Sequence, residues 1–190
     1  PNFLPAGNVS RPSISSLMSG IYDSGLELNE KEIFWTNTLP TALAAQMKRL
    51  GYQTIYWYGG NSSSGNFTKY GKAQGFDYIE NATEFCGPNA PQTWLGVYDH
   101  VFLEETAKRI IEMDEPTFHF VYTTTNHGPY KLEDKDIDFN PKRDLHGVKE
   151  DIINRKDDNK GLAMYKYCDK AIFDFVDTMR DKYPDSLFVV

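Results

Sequence analysis

The chain has 190 residues, 40% of them hydrophobic and 25% charged, with a formal net charge of −7. That length supports one sizeable core, and the acidic balance argues against nucleic acid as a partner. No apolar run approaches the roughly 18 residues of a membrane span, and no signal-peptide pattern opens the chain. Cys86 and Cys168 are too few for a disulfide framework and lack metal-ligand spacing, so two buried thiols are favoured over one bridge.

In chain order, the first element is a short helix after Asn8. Ile14, Leu17 and Met18 recur at i, i+3 and i+4, Pro12 suits the first turn and Gly20 the position past the end. Ser10 then stands at the helix N-terminus, where free N–H groups and the dipole favour negative charge. A hydroxyl there either caps the helix or serves as a nucleophile whose anionic adduct is stabilised. A polar connector covers residues 22–30, and Thr38, Leu39 and Pro40 open a helix to Leu50, with Leu39, Leu43, Met47 and Leu50 on one face. Gln53–Tyr58 is a β-type run followed by a Gly-rich loop over residues 59–66. Residues 67–75 suggest another short helix, and 76–79 a short strand.

Helical spacing returns over residues 99–113, at Phe102, Leu103, Ala107, Ile110 and Ile111. Thr117–Tyr122 is predicted as a buried strand that runs into the loop 123–130. Residues 131–160 form a charged surface excursion, and residues 162–182 the longest helix, with Tyr165, Cys168, Ile172, Phe175, Val176 and Met179 inward. Ser186 to Val190 is an apolar, β-favouring run. Both ends resemble cuts through a larger domain, so residues 1–190 are expected to be a single domain fragment. Three helix-then-strand units predict an α/β fold, a mostly parallel sheet with helices on both faces. Ligands in such folds bind beyond the carboxyl ends of strands, where loops 59–66 and 123–130 lie. Four Asn-x-Ser/Thr sequons, at Asn8, Asn61, Asn66 and Asn81, are the kind that Asn-rich loops generate by chance.

Aligned back from Gly20, Ser10-Arg11-Pro12-Ser13 resembles the sulfatase signature C/S-x-P-S-R-x-x-x-x-T-G, with Ser10 at the nucleophile. It equally resembles the threonine version in lipoteichoic acid synthases, where an unmodified hydroxyl attacks phosphorus. Ile14 replaces the arginine that helps direct conversion to formylglycine. The resemblance therefore implies an unmodified Ser10, and phosphoryl or phosphoglycerol transfer ahead of sulfate ester hydrolysis.

A histidine on a loop leaving a strand can donate to a phosphate oxygen or protonate a leaving alkoxide, or simply sit on the surface. Thr125-Asn126-His127-Gly128-Pro129-Tyr130 resembles the T/S-N-H-x-P-Y/F motif of lipoteichoic acid synthases and is similar to the S-H-G-P motif of lipid A phosphoethanolamine transferases. Carried over, the resemblance makes His127 and Asn126 substrate-binding residues, facing the same crevice as Ser10. Trp94-Leu95-Gly96-Val97-Tyr98-Asp99 resembles the W-G-V-x-D element of the same synthases with one residue added, which brings Trp94 into that set. Locally, Trp94 is better explained as a core or rim aromatic and Asp99 as a helix N-cap or first-turn residue.

The block from Gly51 to Asp77 also resembles the synthases, with one departure. Their headgroup-binding His, Asp, Trp and Arg fall here on Tyr58, Gly60, Gly65 and Phe67, which carry none of those groups. Elsewhere, His119 is expected as a satisfied core residue, His146 as solvent-facing, and His100 has no motif behind it. The resemblance implies a divalent cation (Mn, Zn, Mg or Ca) of which Ser10 is the one ligand in this chain, so the chain alone is expected to be inactive. The implied parent is a metal-dependent phosphotransferase or hydrolase, membrane-anchored at the extracytoplasmic face, with this segment soluble. Its substrate would be an anionic lipid headgroup, a cell-envelope polymer or a sulfated glycan. A sulfatase and a degenerate non-catalytic binding domain are the alternatives.

Overall fold

The aromatic and β-branched run Gln53–Tyr58 forms β1, the central strand of a parallel sheet. In the computed structural model, the described residues are 9–23, 25–132, 135, 137–147 and 156–190, with side chains from residue 159 in the last stretch. β2 (Tyr78–Asn81) pairs with one edge of β1 and β3 (Thr117–Tyr122) with the other, giving the order β2-β1-β3. Ile55 sits opposite both Tyr78 and His119, and Tyr58 opposite both Asn81 and Tyr122. Thr54 to Tyr58 are buried at every position, so both faces of the central strand are covered.

Contacts divide the chain into two units, the first being Pro1–Asn81 with Asp114–Tyr122. Its helices are α1 (Ser10–Ser19), α2 (Ile33–Thr36), α3 (Leu43–Arg49) and α4 (Phe67–Ala73). Tyr56 and Tyr58 on one sheet face pack with Ile14 and Met18 of α1, Ala44 of α3, and Phe67 and Tyr70 of α4. Burial of each large side chain in this cluster stabilises the fold by about 1.5–3 kcal/mol.

Several expectations shift. α1 ends at Gly20 in the left-handed conformation as its spacing predicts, yet Leu17 is exposed while Ser15, Ser16 and Ser19 are buried. Those hydroxyls are all bonded: Ser15 Oγ to Asn29 Oδ1 (2.9 Å), Ser19 Oγ to the Ser15 carbonyl (2.7 Å), and Ser16 Oγ from the Asp23 N–H (2.9 Å). Satisfied serines can line a core that a hydropathy count assigns to leucine. The connector at 22–30 contains a 3-10 turn over Leu28–Glu30, because the buried Asp23 carboxylate accepts the Glu27 and Leu28 N–H groups.

α3 starts at Leu43 rather than near Thr38, and Leu50 is exposed. The preceding residues are tied elsewhere: Leu39 N–H donates to Gln74 Oε1 (2.9 Å) and Thr38 Oγ1 to the Ala73 carbonyl (2.7 Å). β2 starts at Tyr78, two residues later than residues 76–79 suggest. Gly75 makes that turn at φ +109°, and a Cβ there would lie 2.5 Å from the Ala45 backbone nitrogen. No other residue fits such a position.

The second unit is Ala82–Met113 with Thr123–Val190. It contains α5 (Ala82–Phe85), α6 (Asp99–Ile111), α7 (Pro141–Asp144) and the long α8 (Lys156–Lys182). α6 buries Phe102, Leu103, Ala107 and Ile110, with Ile111 turned outward. α8 buries Ala163, Met164, Tyr167, Cys168, Ala171 and Met179, while Tyr165 is exposed. Tyr165 follows Met164 by one residue, about 100° around the helix from the buried stripe. Residues 186–190 form no strand among the described residues, and Leu187, Val189 and Val190 are exposed. β-propensity without a partner strand does not make a strand.

Cys86 and Cys168 are both free thiols, as the sequence reading favours, but only Cys168 is buried and Cys86 is half-buried. α7, capped by the Asn140 side chain, gives the charged excursion local structure. Residues 133, 134, 136 and 148–155 of that excursion, and the sequon at Asn8, lie outside the described residues. Asn81, by contrast, is buried, with its Oδ1 accepting the Ser62 N–H (2.8 Å). No helix among the described residues is long and apolar enough to cross a membrane.

Candidate functional site

Ser10 is the first residue of α1, with Val9 before it in extended backbone. No side chain caps this helix end, and the exposed Ser10 hydroxyl makes no hydrogen bond among the described residues. The capping alternative for Ser10 is therefore not what this geometry displays. Among the described residues the first-turn N–H groups of Ser10 and Arg11 have no partner, and Pro12 has none to satisfy. An anion formed on Ser10 would meet unpaired donors and the positive end of the dipole.

Arg11 adds a cation to that end. Its guanidinium is 3.7 Å from Glu30 and about half exposed. Glu30 also accepts from Asn66 Nδ2 (2.6 Å), and Asn29 Nδ2 donates to the Gly65 carbonyl (2.7 Å). A Cβ on Gly65 would stand 3.5 Å from Arg11 Nε, so Arg11 lies against the turn at Ser64–Asn66. The departing positions are used for packing: Phe67 is buried, and Tyr58 is buried and stacked on Tyr122 at 5.4 Å between ring centres. Burial, and then the neighbouring Tyr122, pushes the Tyr58 phenol up to about 12, with Arg11 partly offsetting both. Tyr58 is thus a neutral wall at physiological pH. Sequence patterns single out neither Arg11 nor Glu30; their pairing spans two elements.

His127 and Trp94 meet in the second unit. The rings are edge-to-face with centres 5.1 Å apart. His127 Nδ1 is 2.7 Å from the Gly128 carbonyl oxygen, and Trp94 Nε1 donates to the same oxygen at 3.2 Å. A carbonyl only accepts, so the contact requires Nδ1–H and leaves Nε2 as the free nitrogen. Asn126 and His127 are both exposed on this loop. Trp94 is carried on a turn closed by Thr93 N–H to the Gly96 carbonyl (2.8 Å), between bridge partners Gln92 and Val97.

The loop is fixed from below by Asp99. Tyr98 is the N-cap of α6, and Asp99 takes the first-turn place, the second of the two expected for it, fully buried. Its Oδ1 accepts from Thr124 N–H (3.1 Å), Thr125 N–H (3.0 Å) and Thr125 Oγ1 (2.8 Å), and its own N–H donates to Thr125 Oγ1 (2.8 Å). A carboxylate at a helix start that receives three donors from the strand-leaving loop sets where His127 begins. Sequence reasoning misses this role, because Asp99 and its threonine partners lie 25 and 26 residues apart.

Beside Trp94 lies a cleft of about 500 Å³, walled by Trp94, Tyr98, Pro129 and Leu132, with Gln92 and Lys131 as polar lining. The other histidines stay apart from it. His100 bonds Tyr167 Oη at 2.6 Å, His146 is exposed, and His119 Nδ1 accepts from Trp57 Nε1 at 3.0 Å. His119 is bonded as expected but only half-buried, as is all of β3, where the sequence predicts a buried strand; that partial burial pushes its pKa down to about 4.

Of the four residues singled out in sequence, then, Trp94, Asn126 and His127 belong to the second unit and Ser10 to the first. Among the described residues there is no group of three or more His, Cys, Asp or Glu that could hold a metal ion. The described residues do not by themselves fit a divalent cation.

A family model for Sulfatase matches residues 1–190. A lipoteichoic acid synthase-like protein of Bacillus subtilis is 26% identical over 117 residues, 60% of this chain and 18% of that protein. Lipoteichoic acid synthase of Staphylococcus aureus is 22% identical over 156 residues, 81% of this chain and 23% of that protein. The chain thus spans about a fifth of the length of these relatives. The crystal structure of a lipoteichoic acid synthase from Listeria monocytogenes superposes with a TM-score of 0.77 at 14% identity, covering 94% of this chain and 41% of that one. At that identity the likeness establishes the fold, an α/β domain of the sulfatase and alkaline phosphatase type.

Proposed function

This chain belongs to the sulfatase family, and from that premise we propose that it is the central segment of a single domain that transfers or hydrolyses phosphoryl-alcohol groups. The substrate is a membrane lipid or cell-envelope polymer, handled at the extracytoplasmic face by a longer, membrane-anchored protein that uses a divalent metal. Ser10 is the nucleophile. Its Oγ bonds to phosphorus as the bond from phosphorus to the leaving alcohol breaks, and an acceptor alcohol or water later releases the phosphoryl group. The N–H groups of Ser10 and Arg11, and the Arg11 guanidinium, would receive charge on the adduct, a role supported by the helix start that no side chain caps. Protonated on both nitrogens, His127 presents Nε2–H as donor to a phosphoryl oxygen or as the proton for the leaving alkoxide, with Asn126 beside it.

The observation that carries this reading is the exposed hydroxyl of Ser10, without a hydrogen bond among the described residues, at a helix start that no side chain caps. Replacement of Ser10 by alanine in the full-length protein should lower turnover by about three orders of magnitude or more with the melting temperature nearly unchanged. A serine whose role is to cap would behave oppositely, losing on the order of 1 kcal/mol of stability and keeping activity. Replacement of both Ser10 and His127 should lower turnover no further than loss of Ser10 alone, as residues of one reaction do.

A non-catalytic binding domain is the second reading. It is favoured by the burial of Tyr58 and Phe67 where related synthases carry headgroup contacts. Turnover that depends on Ser10 decides against it.

A further inference from the structure

We propose that Asn29 is a positioning residue for Ser10, a buried amide that locks the helix carrying the nucleophile to the turn at Ser64–Asn66. The inference rests on reading Ser10 as the nucleophile and names what holds it in place.

Asn29 is fully buried, an unfavourable place for an amide unless both of its ends find partners. Both do. Oδ1 accepts from Ser15 Oγ on α1 (2.9 Å), and Nδ2 donates to the Gly65 carbonyl (2.7 Å), with its other hydrogen turned toward Glu30 Oε1 at 3.5 Å. A carbonyl only accepts, so the Gly65 contact fixes which end of the amide carries the hydrogens. The backbone of Asn29 is pinned separately, because its carbonyl accepts Trp35 Nε1 (2.8 Å). The side chain therefore reaches two elements from a fixed base. All of these residues belong to the first unit.

Neither end has slack. Ser15 is fully buried, and its carbonyl is already taken by Ser19 Oγ (2.7 Å) and Tyr70 Oη (3.3 Å). At the other end, Gly65 and Asn66 are consecutive left-handed residues, at φ +67° and +57°. That conformation is strained for a residue other than glycine, and Asn66 needs support from outside the turn. Asn29 holds the Gly65 carbonyl, and the next residue, Glu30, holds Asn66 Nδ2 (2.6 Å). Two adjacent residues thus brace both left-handed positions. The chemistry requires an amide of this length. Aspartate has no donor for Gly65, leucine has neither polarity, and glutamine sets the amide one methylene further out. The turn lies in the loop that leaves β1, and such loops are where parallel α/β sheets bind ligands. Asn29 therefore sets the spacing between that loop and the helix of Ser10. A nucleophile displaced by about 1 Å loses on the order of a hundredfold in rate.

The test uses the full-length protein and breaks the two arms one at a time. Asn29→Asp keeps the acceptor for Ser15 and removes the donor for Gly65. Ser15→Ala removes the other arm and adds no charge, so an effect shared by both is not electrostatic; it also guards against an aspartate variant that fails to fold. Well below its melting temperature, each should lower kcat about tenfold or more with KM within about twofold, since the contact matters in the transition state rather than in binding. The double variant should be no worse than the poorer single, because either break opens the same clasp. Amide exchange in the Ser10→Ala protein reads the clasp without turnover. There Asn29→Asp should speed exchange in α1 and at Asn66 together by about tenfold, and leave the Trp35 indole N–H resonance in place. Full kcat in both single variants would overturn the proposal. So would KM rising at constant kcat, losses that multiply in the double variant, or exchange that rises in one element alone. Turnover retained by Ser10→Ala itself would instead sink the nucleophile, with the exchange result still judging the clasp.

Discussion

Ser10 and Asp99 sit at the first positions of two helices in opposite circumstances, and each makes its own prediction. Ser10 is exposed and unbonded among the described residues, so a change there should be read in chemistry rather than stability. Ser10→Thr keeps a hydroxyl at the same helix start. Direct attack on phosphorus should then leave appreciable activity in the full-length protein, whereas a formylglycine mechanism should leave none. Intact fold with no activity in the threonine variant moves the assignment to sulfate ester hydrolysis. Asp99 is buried and receives three donors on one oxygen. Asp99→Ala strands Thr124 and Thr125 N–H groups in the interior, at about 2–4 kcal/mol by the usual magnitude for lost charged hydrogen bonds. Asp99→Asn keeps an acceptor and should lose less. Chemical denaturation measures both, and the His127 ring resonances should move in the alanine variant because the loop they ride on is no longer held.

At the scale of elements, the β1–β3 pairing contains a pH dependence. His119 on β3 accepts from Trp57 on β1 through Nδ1, which needs that nitrogen unprotonated. Burial lowers its pKa from 6.5 to about 4. A folded pKa below the unfolded one means the unfolded chain binds more protons between those values. Stability is therefore fully present above about pH 6.5 and falls as the pH drops toward 4, by no more than about 3 kcal/mol from this group. Urea unfolding at pH 7 and pH 4.5 should show that loss, and His119→Gln, which keeps a side-chain acceptor but does not titrate, should flatten it. A profile unchanged by the substitution would place the acid sensitivity elsewhere.

At the scale of the molecule, the chain corresponds to about a fifth of its curated relatives' length. Among its described residues no His, Cys, Asp or Glu cluster is arranged for a metal. Isolated as residues 1–190, it should bind Mn²⁺ or Zn²⁺ no better than any acidic surface, despite its charge of −7. Calorimetry that found a stoichiometric, submicromolar site would mean that ligands outside the motifs assemble one.

The sequence by itself determined the helix–strand alternation, the parallel sheet strands at Gln53–Tyr58 and Thr117–Tyr122, the glycine stop of α1, and the motifs at Ser10 and His127. These are local quantities: periodicity, β-branched runs, Gly and Pro punctuation, and residues close together in the chain. Only the tertiary structure decided that three serines of α1 are core, since their partners include Asn29 and Asp23. The same holds for Asp99, a helix-start residue in sequence that anchors the His127 loop across 26 residues, and for the pairing of Trp94 with Gly128 across 34. Residues 186–190 complete the contrast, for β-propensity is a local preference whereas a strand requires a hydrogen-bonded neighbour. A burial stripe, a satisfied polar atom and a paired strand are each set by a partner distant in the chain, and local pattern does not say which partner that will be.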